Sequence, residues 1–317
     1  MRLVGVVNPI GLLAKELREQ LDSRPDIARE QRLLTTREEE VGTLTESGGT
    51  AAVVQGFSEE SLEGIDLLFL CGPAAEARKA LASAPGIPAV ILSPDATVDD
   101  GPPLVAGVNL VQGELPGPVL LSPHPGAVLL AHLLFPLRSL GLRRAAATLL
   151  QPISVFPAEA LEQLFEQARA LLTFQPVIES PYWQRQLAFN VVAMETTADI
   201  VLAEVDAVLG RGPAVSAQVL QAGVFHGFAA SVHLDCDPDP GAAALRDAYS
   251  GRPSVRWADE EPLGPVDAAA SPDVLLGHLR PEEGRPGSYW LWAVMDNLTR
   301  GGAANAIELG QALLRRA

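Results

Sequence analysis

The sequence predicts two domains, a doubly wound α/β domain followed by an α+β domain. Three observations carry this reading. Short, uniformly apolar runs alternate with helical patterns through the first half, as in a parallel sheet covered on both faces. After about residue 141 the apolar segments become longer and more alternating. A chain of 317 residues with 48% hydrophobic content can fill two cores.

Taken in order, RLVGVV (2–7) reads as a strand and LLAKELREQL (12–21) as a helix with apolar residues three and four apart. QRLLT (31–35) is a second strand, and the acidic, Gly- and Thr-rich stretch 37–50 reads as an exposed loop. IDLLFLC (65–71), PAVIL (88–92) and PVLLS (118–122) are continuous apolar runs, with helices over 74–83 and 126–140. Beyond these, RRAAATLLQPIS, AVSAQVLQAGVF and ASVHLD are strand-like, and a helix fills 158–172. The last segment, GGAANAIELGQALLRR, is an amphipathic helix able to return to the first domain.

Composition narrows the function. A net charge of -16 argues against nucleic-acid and anionic-membrane partners. The longest apolar window, GAVLLAHLLFPL, is too short to span a bilayer and contains His132, and the N-terminal strand lacks a signal-peptide pattern. Two cysteines, Cys71 and Cys236, make no disulfide framework, so a reducing cytoplasm is expected.

The first strand–helix turn, VVNPIGLLAKEL, lies where a dinucleotide fold places its glycine-rich loop. Read against Gly-x-x-Gly-x-x-Gly it offers Asn8, Gly11 and Ala14, while Pro9 removes a backbone N–H. Two readings stay open, a phosphate loop through Asn8, Ile10, Gly11 and Leu12, or a turn that binds nothing. After the second strand, Thr35, Thr36 and Arg37 suit a 2′-phosphate, but Glu38, Glu39 and Glu40 repel it. A third feature is Ser122-Pro123-His124-Pro125-Gly126 between an apolar run and a helix, a strand-to-helix turn of the kind that presents reactive groups, here without a thiol.

Several stretches together resemble the aspartate-semialdehyde dehydrogenase family. They are DNLTRGGAANAIEL (296–309), RQLAFNVV (185–192), PLVAGVN (103–109) and VSAQVLQAGVFHGFAASV (215–232), in the family's order along nearly the whole chain. The resemblance implies a Rossmann-like NAD(P)-binding domain over 1–124 with helix 296–317, and a dimerisation domain over 125–295. It also implies a homodimer, NADP or NAD as cofactor, and Asn297 beside Asn8, Ile10, Gly11, Leu12 and Thr35 among the cofactor positions. No metal is expected.

In that family a cysteine at the strand-to-helix turn attacks the aldehyde, the nicotinamide takes hydride, and phosphate releases the acyl group. By the resemblance, Pro125 stands at the cysteine position, Phe228 at the general-base histidine, and Gln221 at the substrate arginine. Thr97 falls near a phosphate-binding arginine and Ile200 at a substrate lysine, and Gln151 matches an active-site glutamine. The pattern is similar to Usg-type paralogues, which also lack the cysteine. The resemblance therefore implies a pseudoenzyme, a dimeric binding or scaffold protein with weak or no nucleotide binding. Two alternatives stand beside it: an active aspartate-semialdehyde dehydrogenase of amino-acid biosynthesis, and altered chemistry using Ser122, His124 or His226.

On a continuing strand His226 would share a face with Phe228, and no carboxylate is evident to orient either histidine. Cys71 reads as a small core residue. His233-x-x-Cys236 with Asp235, Asp237 and Asp239 reads as a solvated acidic loop rather than a metal half-site.

Overall fold

The structure, a computed structural model, describes residues 2–110, 114–177, 179–180, 182, 185–210, 212–258 and 262–316. In chain order the first elements are β1 (Leu3–Val7), α1 (Leu12–Asp22), β2 (Glu30–Thr35), β3 (Leu44–Ser47), β4 (Thr50–Val53) and β5 (Gln55–Gly56). Next come β6 (Leu67–Cys71), α2 (Ala74–Ser83), β7 (Ala89–Leu92), β8 (Val119–Leu121) and α3 (Pro125–Leu134). They are followed by β9 (Leu142–Gln151), α4 (Ala158–Leu172), β10 (Val191–Ala193), α5 (Glu195–Leu209), β11 (Ala214–Ala222) and β12 (Phe228–Cys236). The chain closes with α6 (Gly241–Asp247), β13 (Val255–Trp257), β14 (Val274–Pro281), β15 (Ser288–Met295) and α7 (Asn305–Arg316).

Two compact units result, one running to Pro125 and resuming at Gly301, the other spanning Gly126–Arg300. The first holds a six-stranded sheet in the order β5-β2-β1-β6-β7-β8, with every pairing parallel. Its uniformly apolar strands send alternate residues to opposite faces. Val4, Val6, Leu67, Phe69 and Val90 pack with α1 and α7, while Val7, Leu68, Leu70 and Ile91 pack with α2. Gly310 sets how closely α7 approaches: a Cβ there would come within 2.8 Å of Leu67 and Phe69 side-chain atoms.

The second unit holds a seven-stranded mixed sheet, β10-β11-β9-β12-β15-β14-β13. Antiparallel β9/β12 and β12/β15 pairings with a parallel β11/β9 pairing bring the ends of β9, β11 and β15 and the start of β12 to one edge. Gln151 stands opposite Gln221, and Phe228 opposite Met295, in the last rows of that edge.

Two expected elements differ. The 37–50 stretch is exposed but contains a hairpin, β3/β4, rather than an irregular loop. Gly48 and Gly49 both take positive φ, +60° and +74°, which is the geometry a two-residue hairpin turn needs. The 126–140 helix ends at Leu134 and tightens into a 3-10 turn over Phe135–Leu140, because Pro136 lacks the N–H that an α-helix requires. The unit also contains α5, which lies outside every expected helix.

Candidate functional site

In open α/β sheets, ligands settle beyond the strands' carboxyl ends where the strand order reverses, here between β1 and β6. That crevice is occupied by Asn8, buried at φ +55°. Its Nδ2 donates to the Cys71 carbonyl (3.1 Å) and to Glu76 Oε2 (2.7 Å). Its Oδ1 accepts from Thr36 N (3.1 Å) and Thr36 Oγ1 (3.2 Å), and Thr35 Oγ1 lies at 3.3 Å. Thr35 also donates to Glu40 at 2.7 Å. Arg37 bonds Glu76 (3.1 Å) and Glu40 (3.0 Å). Burial works against its charge, yet the two carboxylates outweigh that and raise the guanidinium pKa.

These contacts test the fit of a dinucleotide. Gly11 caps α1 without a side-chain bond and faces open space, so the first amides of α1 suit a phosphate. Ile10 is exposed beside it, and Leu12 begins the helix. The end of β2 does not suit a 2′-phosphate, because Arg37 there is already neutralised by Glu40 and Glu76.

At the strand-to-helix turn, Pro125 is the first residue of α3, a position where its fixed φ and missing N–H cost nothing. Ser122 and His124 are buried. Ser122 Oγ accepts from Asn305 Nδ2 at 2.9 Å. Asn305 also donates to the Leu104 carbonyl (3.0 Å) and accepts from Ala106 N (2.9 Å), so it ties the 104–106 loop to β8. The cysteines are elsewhere and buried. Burial pushes the Cys71 thiol up to about 12 and the Cys236 thiol up to about 11, where neither is a thiolate near neutral pH.

The second unit gathers the other expected positions at its sheet edge. Gln151 Nε2 donates to Gln221 Oε1 at 2.9 Å, and Gln221 Nε2 donates to the carbonyls of Gln151 (3.0 Å) and Ala222 (3.1 Å). Both amides are buried, and among the described residues Gln151 Oε1 has no partner. Phe228 is fully buried and carries no transferable proton.

His226 is not on β12. It lies in the connection before Phe228, held by Gly227 at φ +88°. The expectation that no carboxylate orients it is overturned: His226 Nε2 meets Asp296 Oδ2 at 2.8 Å. Asp296 also accepts from Ala270 N (2.7 Å), Leu298 N (2.9 Å) and Thr299 N (2.8 Å). Burial alone would raise its pKa, but the His226 bond, these amides and the imidazole charge hold it below the usual carboxylate range. The hydroxyl paired with His226 is Ser154, whose Oγ stands 3.4 Å from Nδ1. Asn297 donates from Nδ2 to Ser154 Oγ (3.1 Å) and accepts at Oδ1 from Gly227 N (3.0 Å) within this cluster. Sequence reading missed Ser154 and Asp296. The available signal was Asp296 before Leu298 and Thr299, an N-cap-like pattern.

The remaining positions are plain. Thr97 N donates to Asp100 (2.9 Å) in a turn, and Ile200 is half-buried on α5. His233 is on β12, not in a loop, and bonds Glu282 at 2.6 Å. Among the described residues no group of three His, Cys, Asp or Glu side chains is placed to hold a metal, and no helix is long and apolar enough to cross a membrane.

No family model matches the chain. A USG-1 protein homologue of Pseudomonas aeruginosa is 29% identical over 98% of this chain and 97% of its own length. The aspartate-semialdehyde dehydrogenase of Bacillus subtilis is 22% identical, over 98% and 96%. Among solved structures, a probable aspartate-semialdehyde dehydrogenase from P. aeruginosa superposes with a TM-score of 0.88 at 27% identity, covering 99% of this chain and 98% of that one. The Candida albicans enzyme with NADP shares the fold at 0.73 and 16% identity, covering 100% and 99%. In sequence order and in its Rossmann-like two-unit fold, the chain is similar along nearly its whole length to USG-1 protein homologues and aspartate-semialdehyde dehydrogenases.

Proposed function

We propose that the protein does not oxidise aspartate semialdehyde and acts as a dimeric binding or scaffold protein in the cytoplasm. In this reading the first unit is the former nucleotide domain and the second the dimerisation domain. The observation that carries it is Pro125 at the first position of α3, where the family reaction needs a thiolate. Phe228 in place of a base and the neutral Gln151–Gln221 pair in place of an arginine support it. The Gln151–Gln221 pair itself offers a carboxylate substrate no cation.

Nucleotide binding is weak in this reading, and NAD is preferred to NADP. The α1 amides retain one phosphate contact, but Arg37 is committed to Glu40 and Glu76. Dimerisation is supported by apolar side chains left open on the second unit, among them Leu172, Phe174 and Phe189.

The test mixes purified protein with aspartate semialdehyde, phosphate and either NAD or NADP. Nicotinamide reduction is followed by absorbance and cofactor binding by calorimetry. No turnover above denatured protein is expected, with any binding stronger for NAD. Sustained turnover would restore the dehydrogenase reading.

A further inference from the structure

The Ser154, His226 and Asp296 side chains meet in an order that the dehydrogenase reaction does not use. We propose that they form a hydroxyl–imidazole–carboxylate relay that makes Ser154 a nucleophile toward neutral esters with an apolar acyl group. Asp296 accepts at 2.8 Å from Nε2 of His226, which leaves Nδ1 as the basic nitrogen facing Ser154 Oγ. The 3.4 Å separation is long, as catalytic hydrogen bonds commonly are before substrate binds. Three backbone amides fix the Asp296 carboxylate, so the imidazole has one orientation available. Asn297 holds the hydroxyl in place, with Nδ2 3.1 Å from Ser154 Oγ and Oδ1 accepting from it at 3.2 Å in the resting state, so the proton must turn from Asn297 to Nδ1 when substrate binds.

Ser154 is itself buried, 6% exposed, so a substrate would have to reach it from the imidazole side, where the His226 side chain is 30% exposed. Phe225 beside it is 39% exposed and lies 4.4 Å, centroid to centroid, from the 57% exposed ring of Phe165. Ser154 N is bonded to the Phe225 carbonyl at 3.0 Å, so this aromatic surface adjoins the hydroxyl. An apolar acyl chain fits it, and the net charge of -16 favours a neutral ester over an anionic one.

In the reaction, Ser154 Oγ bonds to the ester carbonyl carbon and its proton passes to His226 Nδ1. The ester C–O bond breaks and the alcohol leaves with that proton. Water then adds to the acyl-serine, gives its proton to Nδ1, and releases the acid as Ser154 is reprotonated. The sum is ester plus water to acid plus alcohol. Ser154 and His226 are the catalytic residues, and Asp296 and Asn297 are positioning residues.

Two probes test this on the full chain, p-nitrophenyl butyrate and a fluorophosphonate, which forms an Oγ–P bond as fluoride leaves. Peptide mapping of the wild type is expected to place the phosphonate on Ser154. Ser154→Ala should lose that label and the hydrolysis. His226→Gln should slow labelling about 100-fold or more. Asp296→Asn should slow the p-nitrophenol burst while leaving the ester's KM within about twofold, a split that a packing role alone does not produce. No label on Ser154 of the wild type above denatured protein overturns the proposal, as does equal labelling of a folded His226→Gln variant. The wild-type mapping decides the matter even if a variant fails to fold.

Discussion

Two places in the molecule put a serine at the end of a strand with a histidine close in structure or sequence, and they treat the hydroxyl in opposite ways. After β8, Ser122 precedes His124 by two residues, but its hydroxyl is bonded to Asn305, which does not titrate in water. After β9, Ser154 lies 72 residues from His226, yet its hydroxyl faces an imidazole oriented by an ionised carboxylate. Adjacency in sequence therefore says little about which hydroxyl can be activated. The partner decides, and at both sites strand register and loop geometry bring the partner in.

The contrast breaks most sharply at Asp296. Asp296→Ala removes the acceptor of three amides and of His226, and should destabilise the protein by about 4 kcal/mol in urea unfolding. Asn305→Ala strands the Ala106 amide and the Leu104 carbonyl at the other site, and should cost about 3 kcal/mol. A loss below about 1 kcal/mol at either position would mean that the clamp described there does not hold.

A smaller effect concerns α3, the helix that Pro125 starts. His132 on it is buried, and burial, with the Arg300 charge, pushes its pKa down from 6.5 to about 3. The folded state keeps it neutral while the unfolded chain takes up a proton below pH 6.5. Stability is therefore lost as pH falls from 6.5 toward 3, by at most about 1.4 kcal/mol per pH unit. Chemical denaturation of His132→Leu should show that slope flattened over the same range, and an unchanged slope would assign it to other groups. Smallest in energy is Pro125→Cys, expected to change stability by less than about 1 kcal/mol. Position 125 is buried, but at a helix N-terminus the new thiol should ionise at lower pH than Cys71 or Cys236, read from thiolate absorbance against pH. Ionisation no easier than that of the two native thiols would show that the α3 N-terminus does not act on its first residue.

The sequence made the parallel sheet legible because Leu67–Cys71 and Ala89–Leu92 are buried on both faces and therefore uniformly apolar. Helices α2 and α4 fall on the expected residues, 74–83 and 158–172, because their apolar spacing is helical and their ends are not extended by neighbouring apolar runs. The β3/β4 hairpin was hidden because neither strand buries a residue, and its apolar ends, Leu44 and Val53, are exposed. At the sites, the positions read from the family resemblance could be named, but not their partners. Asp296 is 70 residues from His226, and Asn297 143 from Ser154. Only the Phe228–Met295 register brings those segments together, and no local pattern encodes it.

The central claim, that the turn at Pro125 holds no working nucleophile for aldehyde oxidation, can be read from one intact-mass measurement. The protein is mixed with aspartate semialdehyde and NAD or NADP, phosphate is omitted so that any acyl-enzyme accumulates, and the mixture is quenched in acid. An unchanged mass with no stoichiometric burst of reduced nicotinamide is the predicted result. A protein heavier by one aspartyl group, formed together with reduced nicotinamide, would contradict it.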